Sequence, residues 1–470
     1  MKKILNIIRK DKWWQVIIVS FLLVRFGIIS SFLLVNRGKD VWTKLYGEAQ
    51  PSQSVFMRLF HDFCDWHPPI YYTFTSTTLF LFRSHLFIYL AQILLAFLSV
   101  WIGYKIIRLF FSRKISMIVA LLTAIEPYWA FHNFLLVSEN IFTPLMLAGF
   151  YFLFCFIKSN KNWYLWFSAV FLGFATLTRS NTLIIVPALS LLLLIVFAFR
   201  KKIKQENLLE LNLKQILFCL IVFNLIFFGI LSPWIIRNKI VYGQATLANM
   251  LSTNIFFYNL PPLISMQKNI SYEDAYRQIV SEAKSHIKEP VDDQGNCELY
   301  SKEEFSARQD YYSGVSRKHI LSNWKEYAKV HFVKTIPFFF QSGYFEMWSA
   351  YSGEYSKPDI TGLILKKDLA SAEKFFKEIN AKLVFYILGI ILWGASSFAA
   401  FLAVIYSYFK DKEKFLFFLI SFVIIMLNAL LISPFVLARY RLPINALFFI
   451  PLVYMIFEIA KLKFKSKIKE

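Results

Sequence analysis

The sequence predicts an all-α polytopic membrane protein, with about ten transmembrane helices and a mainly helical extracytoplasmic domain. Three observations predict it. Apolar runs of span length recur along the chain and are continuous rather than alternating, so they are helices and not barrel strands. The chain is 57% hydrophobic and only 17% charged, with 52 phenylalanines, whereas soluble domains are about one quarter charged. Its basic residues also gather in short loops, as the positive-inside rule requires of cytoplasmic segments.

The elements follow in order. The N-terminal "MKKILNIIRKDKWW" has the basic flank of a signal sequence. The apolar run behind it is too long for a signal core and shows no small-residue cleavage site, so it is expected to stay as an anchor. Spans are expected at 13–35, 86–107, 116–134, 141–157, 163–178, 182–199, 215–233, 382–408, 415–433 and 443–460. With both termini cytoplasmic, the basic loops at 109–115, 200–214 and 409–414 fall inside. The pair 163–178 and 182–199 is expected to turn outside at Arg179–Asn181.

Two outer segments are long. In 36–85, "SVFMRLFHDF" carries Val55, Phe56, Leu59, Phe60 and Phe63 at helical spacing, which predicts an amphipathic helix on the outer membrane surface. The segment 234–381 is polar enough for a separate domain; "YEDAYRQIVSEAKSHI" and "EEFSARQDYYSGVSRKHILSNWKEYAKV" predict helices around the turn-prone "EPVDDQGN". The expected organisation is a transmembrane module over 1–233, an extracytoplasmic domain over 234–381 and C-terminal spans over 382–470.

The net charge of +22 is topological by this arrangement, and no nucleic-acid partner is expected. Cys155 and Cys219 fall in spans as small apolar filler. Cys64 and Cys297 lie outside the cytoplasm, where pairing stays open. There is no nucleotide-binding glycine loop and no zinc spacing, and no cofactor is expected. Asp292–Asp293 is a conceivable divalent-cation site, with a solvated turn the favoured reading.

Polar residues collect where this topology puts the outer surface. Asp40, Glu48, Asp62, Asp65 and His67 lie in the first loop, and Glu126, His132 and Glu139 around the third and fourth spans. Arg179, Arg237, Asn238, Arg439 and Arg441 lie at the outer ends of later spans. Arginines can hold a phosphate while a carboxylate takes a proton from a nucleophile. Arg25 costs roughly 2.5–3.5 kcal/mol in mid-span on insertion scales, so it should face the bundle or a water-filled cavity.

Five words occur in order at that surface: "DWHPPIYY", "LLVSENIF", "GFATLTRSN", "SPWIIRNKIVYG" and "ARYRLPI". Together they resemble the bacterial membrane glycosyltransferases of family 39, of GT-C architecture, the group of protein O-mannosyltransferases and the lipid A aminoarabinose transferase. The resemblance implies an inverting transfer of sugar from a polyprenyl-phosphate donor to a protein, lipid or glycan acceptor, at the outer face of the cytoplasmic membrane. Membrane lipids are the other partners.

By that resemblance Asp40 is the general base, although Tyr46 follows it six residues on, where the family has about four; Glu48, Asp62 and Asp65 stand in reserve. Glu139 matches the acid of the family's "SE" word. His67, beside Asp65, shapes the donor cavity or only tethers its loop, while Pro68 and Pro69 fix the bend. Arg237 and Arg439 look like the phosphate ligands, with Asn238 and Arg179 beside them and Arg441 interfacial. A polysaccharide polymerase or ligase using lipid-linked oligosaccharide is the alternative. A lipid-linked-sugar flippase is a more distant one, because no paired halves are visible.

Overall fold

The computed structural model describes residues 11–35, 68–200, 212–248, 250–287, 301–352, 381–433 and 437–467. Among the described residues every regular element is helical. The first part of the chain forms α1 (Lys12–Val35), α2 (Pro69–Phe82), α3 (His85–Arg108), α4 (Arg113–Ile125), α5 (Pro127–His132), α6 (Glu139–Ser159), α7 (Asn162–Thr176), α8 (Ile185–Ala198) and α9 (Leu213–Tyr242). The polar region forms α10 (Met250–Asn254), α11 (Leu260–Lys268), α12 (Tyr272–Lys284), α13 (Lys302–Ser322), α14 (Trp324–Phe340) and α15 (Tyr344–Ser352). The chain returns to apolar helices with α16 (Ala381–Lys410), α17 (Lys412–Ile432) and α18 (Asn445–Lys467). Short 3-10 turns, Ser180–Leu183 and Ala438–Ile444, precede α8 and α18.

Among the described residues, eight helices are long and apolar enough to cross a membrane. The two other expected spans are shorter for local reasons. The run 116–134 breaks at Pro127, which cannot continue a helix, and the Glu126 carboxylate accepts from the Tyr128 and Trp129 amides to start α5. The run 163–178 yields only the 15-residue α7.

Packing explains the arrangement. α6 and α7 approach closely because Gly149 has no side chain: a Cβ there would fall 2.6 Å from Leu172 Cγ. The Ser168 hydroxyl donates to the Gly149 carbonyl at 2.8 Å across the same contact. Phe150, Phe154, Phe223, Trp393 and Phe448 lie in one core shared by α6, α9, α16 and α18. α1 buries one stripe, Trp14, Ile17, Phe21, Arg25 and Phe32, at helical spacing, and leaves its other faces open.

Arg25 faces the bundle, as its position in the span requires. Its Nε donates to Asn133 Oδ1 at 2.9 Å and its Nη1 to the Ala124 carbonyl at 2.7 Å, with the guanidinium 3.4 Å above the Phe21 ring.

The polar region has its own small core of Phe256, Phe257, Leu260, Ile264, Ala275, Ile279 and Tyr312. Ser271 caps α12, and a Ser301–Glu304 capping box starts α13. The expected boundary at 233/234 falls inside α9, which continues through Pro233 to Tyr242. The long helical run expected at 303–330 is divided at Asn323 into α13 and α14.

Candidate functional site

Glu139 is the first residue of α6, and buried polar side chains add to the backbone turns that hold the loop before it. Asn133 Nδ2 donates to Asn140 Oδ1 at 2.9 Å, and Asn140 Nδ2 donates to the His132 and Leu135 carbonyls. Gln92 on α3 donates to the Asn133 and Leu135 carbonyls, and itself accepts from the Tyr71 hydroxyl at 3.2 Å. Buried polar groups are stable in an apolar bundle only when satisfied in this way.

Three distant segments meet at the Glu139 carboxylate. Arg179, just past α7, places Nη1 2.5 Å from Glu139 Oε1, and Arg439, in the 3-10 turn before α18, places Nε 3.8 Å from the same oxygen. Arg179 also donates to Ser138 Oγ at 3.2 Å. The Tyr440 ring lies 5.1 Å from the Arg179 guanidinium and 5.2 Å from that of Arg439. Side-chain exposure grades from 3% at Glu139 through 16% at Arg179 to 37% at Arg439. The cluster is therefore most open on the Arg439 side. Two guanidiniums against one carboxylate leave one positive charge, which suits a phosphate.

A second polar group adjoins the first. The Tyr128 hydroxyl donates to the Glu346 carboxylate, and Gln341 Nε2 reaches the other oxygen of Glu346 at 3.5 Å. His132 donates from Nδ1 to the Tyr128 carbonyl at 3.0 Å, and the two rings are 4.3 Å apart. Gly343, at φ +78°, fits against Tyr128 because it lacks a Cβ, which would fall 2.4 Å from Tyr128 Cζ.

The placement of Arg441 corrects an expectation. It is not interfacial but 2% exposed, donating to the Phe338 and Gln341 carbonyls at 2.7 and 2.5 Å and stacking 3.6 Å over Trp393. The reason is that the end of α14 needs donors for its last carbonyls, and Arg441 supplies them.

Of the expected site residues, Glu139, Arg179 and Arg439 come together. Arg237 and Asn238 pair with each other at 3.0 Å on α9, Asn238 ties to the Thr246 carbonyl at 2.7 Å, and Arg237 lies over the Trp234 ring. These contacts are local to α9 and the turn after it. Asp40, Glu48, Asp62, Asp65, His67, the amphipathic segment 54–63, Cys64, Asp292, Asp293 and Cys297 lie outside the described residues. Cys155 and Cys219 are buried free thiols.

Tyr128, Glu346, Gln92, Asn133 and Asn140 were not singled out from the sequence. Gln92 could have been, since a lone amide in "YLAQILLAF" needs a partner within the bundle. The Tyr128–Glu346 contact joins residues 218 positions apart and has no sequence signal.

Residues 66–228 match the family described as dolichyl-phosphate-mannose-protein mannosyltransferase. No curated protein matches the chain. Among solved structures, it is similar to the archaeal oligosaccharyltransferase AglB from Archaeoglobus fulgidus, in complex with an inhibitory peptide and a dolichol-phosphate. That similarity is at 12% identity and TM-score 0.40, over 98% of this chain and 52% of that one. The apo form of the Archaeoglobus fulgidus oligosaccharyltransferase gives 12% identity and TM-score 0.43, over 97% and 52%. The chain thus spans about half the length of these structures. The family match covers "LLVSENIF" and "GFATLTRSN", which hold Glu139 and Arg179. Over that stretch, about a third of its length, the chain is thus similar to a family of membrane mannosyltransferases.

Proposed function

We propose that the protein transfers a sugar, with inversion, from a polyprenyl-phosphate donor to a protein, lipid or glycan acceptor at the outer face of the cytoplasmic membrane. The observation that carries this reading is Glu139 held between Arg179 and Arg439, with net positive charge and its most open side at Arg439. The donor phosphate takes its place at Arg439 and Arg179, with Glu139 fixing the directions of both guanidiniums. Asp40 removes the proton from the acceptor as its oxygen bonds to the anomeric carbon. The carbon–oxygen bond to the phosphate breaks, its electron pair leaving with polyprenyl phosphate. Because the phosphate is a good leaving group, the site's main task is to hold positive charge where negative charge develops. Arg237 and Asn238, with His67 and Asp65 in the first outer loop, complete the donor cavity, and 234–381 contributes to acceptor choice.

The test uses the full chain in nanodiscs with synthetic polyprenyl-phosphate sugars and a panel of peptide, lipid and glycan acceptors, the anomer of the product being read by NMR. The expected result is transfer with inverted configuration. Transfer only from a diphosphate-linked oligosaccharide would overturn the donor assignment in favour of a polymerase or ligase.

A further inference from the structure

We propose that α14 and α15 form a re-entrant helical hairpin, and that the face of α14 bearing Phe332, Ile336 and Phe340 lies against lipid acyl chains. Contacts with the neighbouring span helices set its depth. His331 Nε2 donates to the Leu430 carbonyl at 2.8 Å, in the last turn of α17, and the Ser433 hydroxyl donates to the His331 carbonyl. His331 is therefore level with the end of a span. Eight residues further on, about 12 Å at 1.5 Å per residue, the Phe339 carbonyl accepts from Ser397 Oγ at 2.9 Å, near the middle of α16. α14 thus descends halfway along a helix long enough to cross the membrane.

The chain then turns and returns through Gly343, so that α15 lies level with the start of α16. Phe345 and Trp348 pack against Tyr386 and Phe385 in the first turns of α16. The tip has what a helix end needs away from water. The carbonyls of Phe338, Phe339 and Gln341 accept from Arg441, Ser397 and Arg441 in turn. At bilayer depth, backbone that leaves a helix must be satisfied by protein in this way.

The outward face of α14 has the chemistry of a lipid contact. Phe332 is 69% exposed, Ile336 40% and Phe340 43%, at four-residue spacing. Such a stripe in water would be an unusual exposed patch. At the other end of the helix Trp324, Lys325 and Lys329 are exposed, with the Lys325 ammonium 5.7 Å from the Trp324 ring. Tryptophan and lysine are the residues of the headgroup layer, and the last charge of α14, the half-buried Lys334, precedes Ile336 and Phe340.

Spin labels on the full chain test this, after Cys64→Ser, Cys155→Ala, Cys219→Ala and Cys297→Ser. Lys325→Cys, Phe332→Cys, Ile336→Cys and Phe340→Cys variants are labelled in nanodiscs of phosphatidylethanolamine and phosphatidylglycerol. Collisions with oxygen and with a water-soluble nickel chelate are then measured. The expected result is nickel access at 325 and a rising oxygen-to-nickel ratio from 332 to 340. Nickel access at 336 and 340 equal to that at 325 would overturn the hairpin's insertion. Protection from both reagents would overturn the lipid contact in favour of a protein cover. Should labelling prevent folding, p-benzoyl-L-phenylalanine in place of Phe332 and Phe340 is the milder probe; lipid adducts support the proposal and cross-links to protein alone refute it.

Discussion

The Glu139 carboxylate and the Arg179 guanidinium form a 2.5 Å ion pair that joins the start of α6 to the end of α7. Glu139→Gln keeps the shape of the side chain but loses the charge that directs two arginines. The expected outcome is a folded, monodisperse protein with transfer reduced by ~100-fold or more, on the scale of lost electrostatic catalysis. Turnover within twofold of the wild type, with purified donor and acceptor, would take Glu139 out of the site.

Arg439 is the more open of the two arginines, so its loss should fall on donor binding. Arg439→Ala is expected to raise the donor Kd by about one to two decades, the value of a charge-assisted contact of ~1.5–3 kcal/mol. Arg439→Lys should recover only part of this, because lysine keeps the charge and loses the planar fork. Equal donor affinity across all three proteins would refute the phosphate assignment.

Arg441 should behave differently although it is two residues away. Arg441→Met leaves the Phe338 and Gln341 carbonyls without donors, at a cost of about 1–3 kcal/mol for each buried group. The expected signature is a lower melting temperature in detergent. Loss of donor affinity with unchanged melting would show that Arg441 is a ligand instead.

Gly149 measures how far the bundle depends on close helix approach. Gly149→Val places atoms where Leu172 lies and should destabilise by about 1–3 kcal/mol, the usual cost of overpacking. An unchanged melting curve would mean that α6 and α7 are less tightly packed than the structure has them.

Topology is checked by labelling single cysteines in intact cells with an impermeant reagent. A cysteine at Asn296 should react and one at Lys202 should not, on the positive-inside argument. The reverse pattern would invert the protein in the membrane and move the proposed site to the cytoplasmic side.

Much of this protein was legible in one dimension because lipid imposes a one-dimensional requirement. A run of about twenty apolar residues must be a helix wherever it crosses hydrocarbon, so the span helices, and the inward-facing Arg25, followed from composition along the chain. The ordered words carried the GT-C resemblance for the same reason: they are local. The breaks were less legible. Pro127 stood in view, but that Glu126 would cap a new helix there depends on a rotamer.

What the tertiary structure decided are the relationships across the bundle. Arg439 and Arg441 sit in one short word, "ARYRLPI", and the same turn sends Arg439 to Glu139 while burying Arg441 beneath α14. No periodicity separates them, because the difference lies in which helix end happens to face each side chain. Sequence determines which groups must avoid lipid; only the packed helices decide which partner each one finds there, since satisfying a buried charge takes partners from distant parts of the chain.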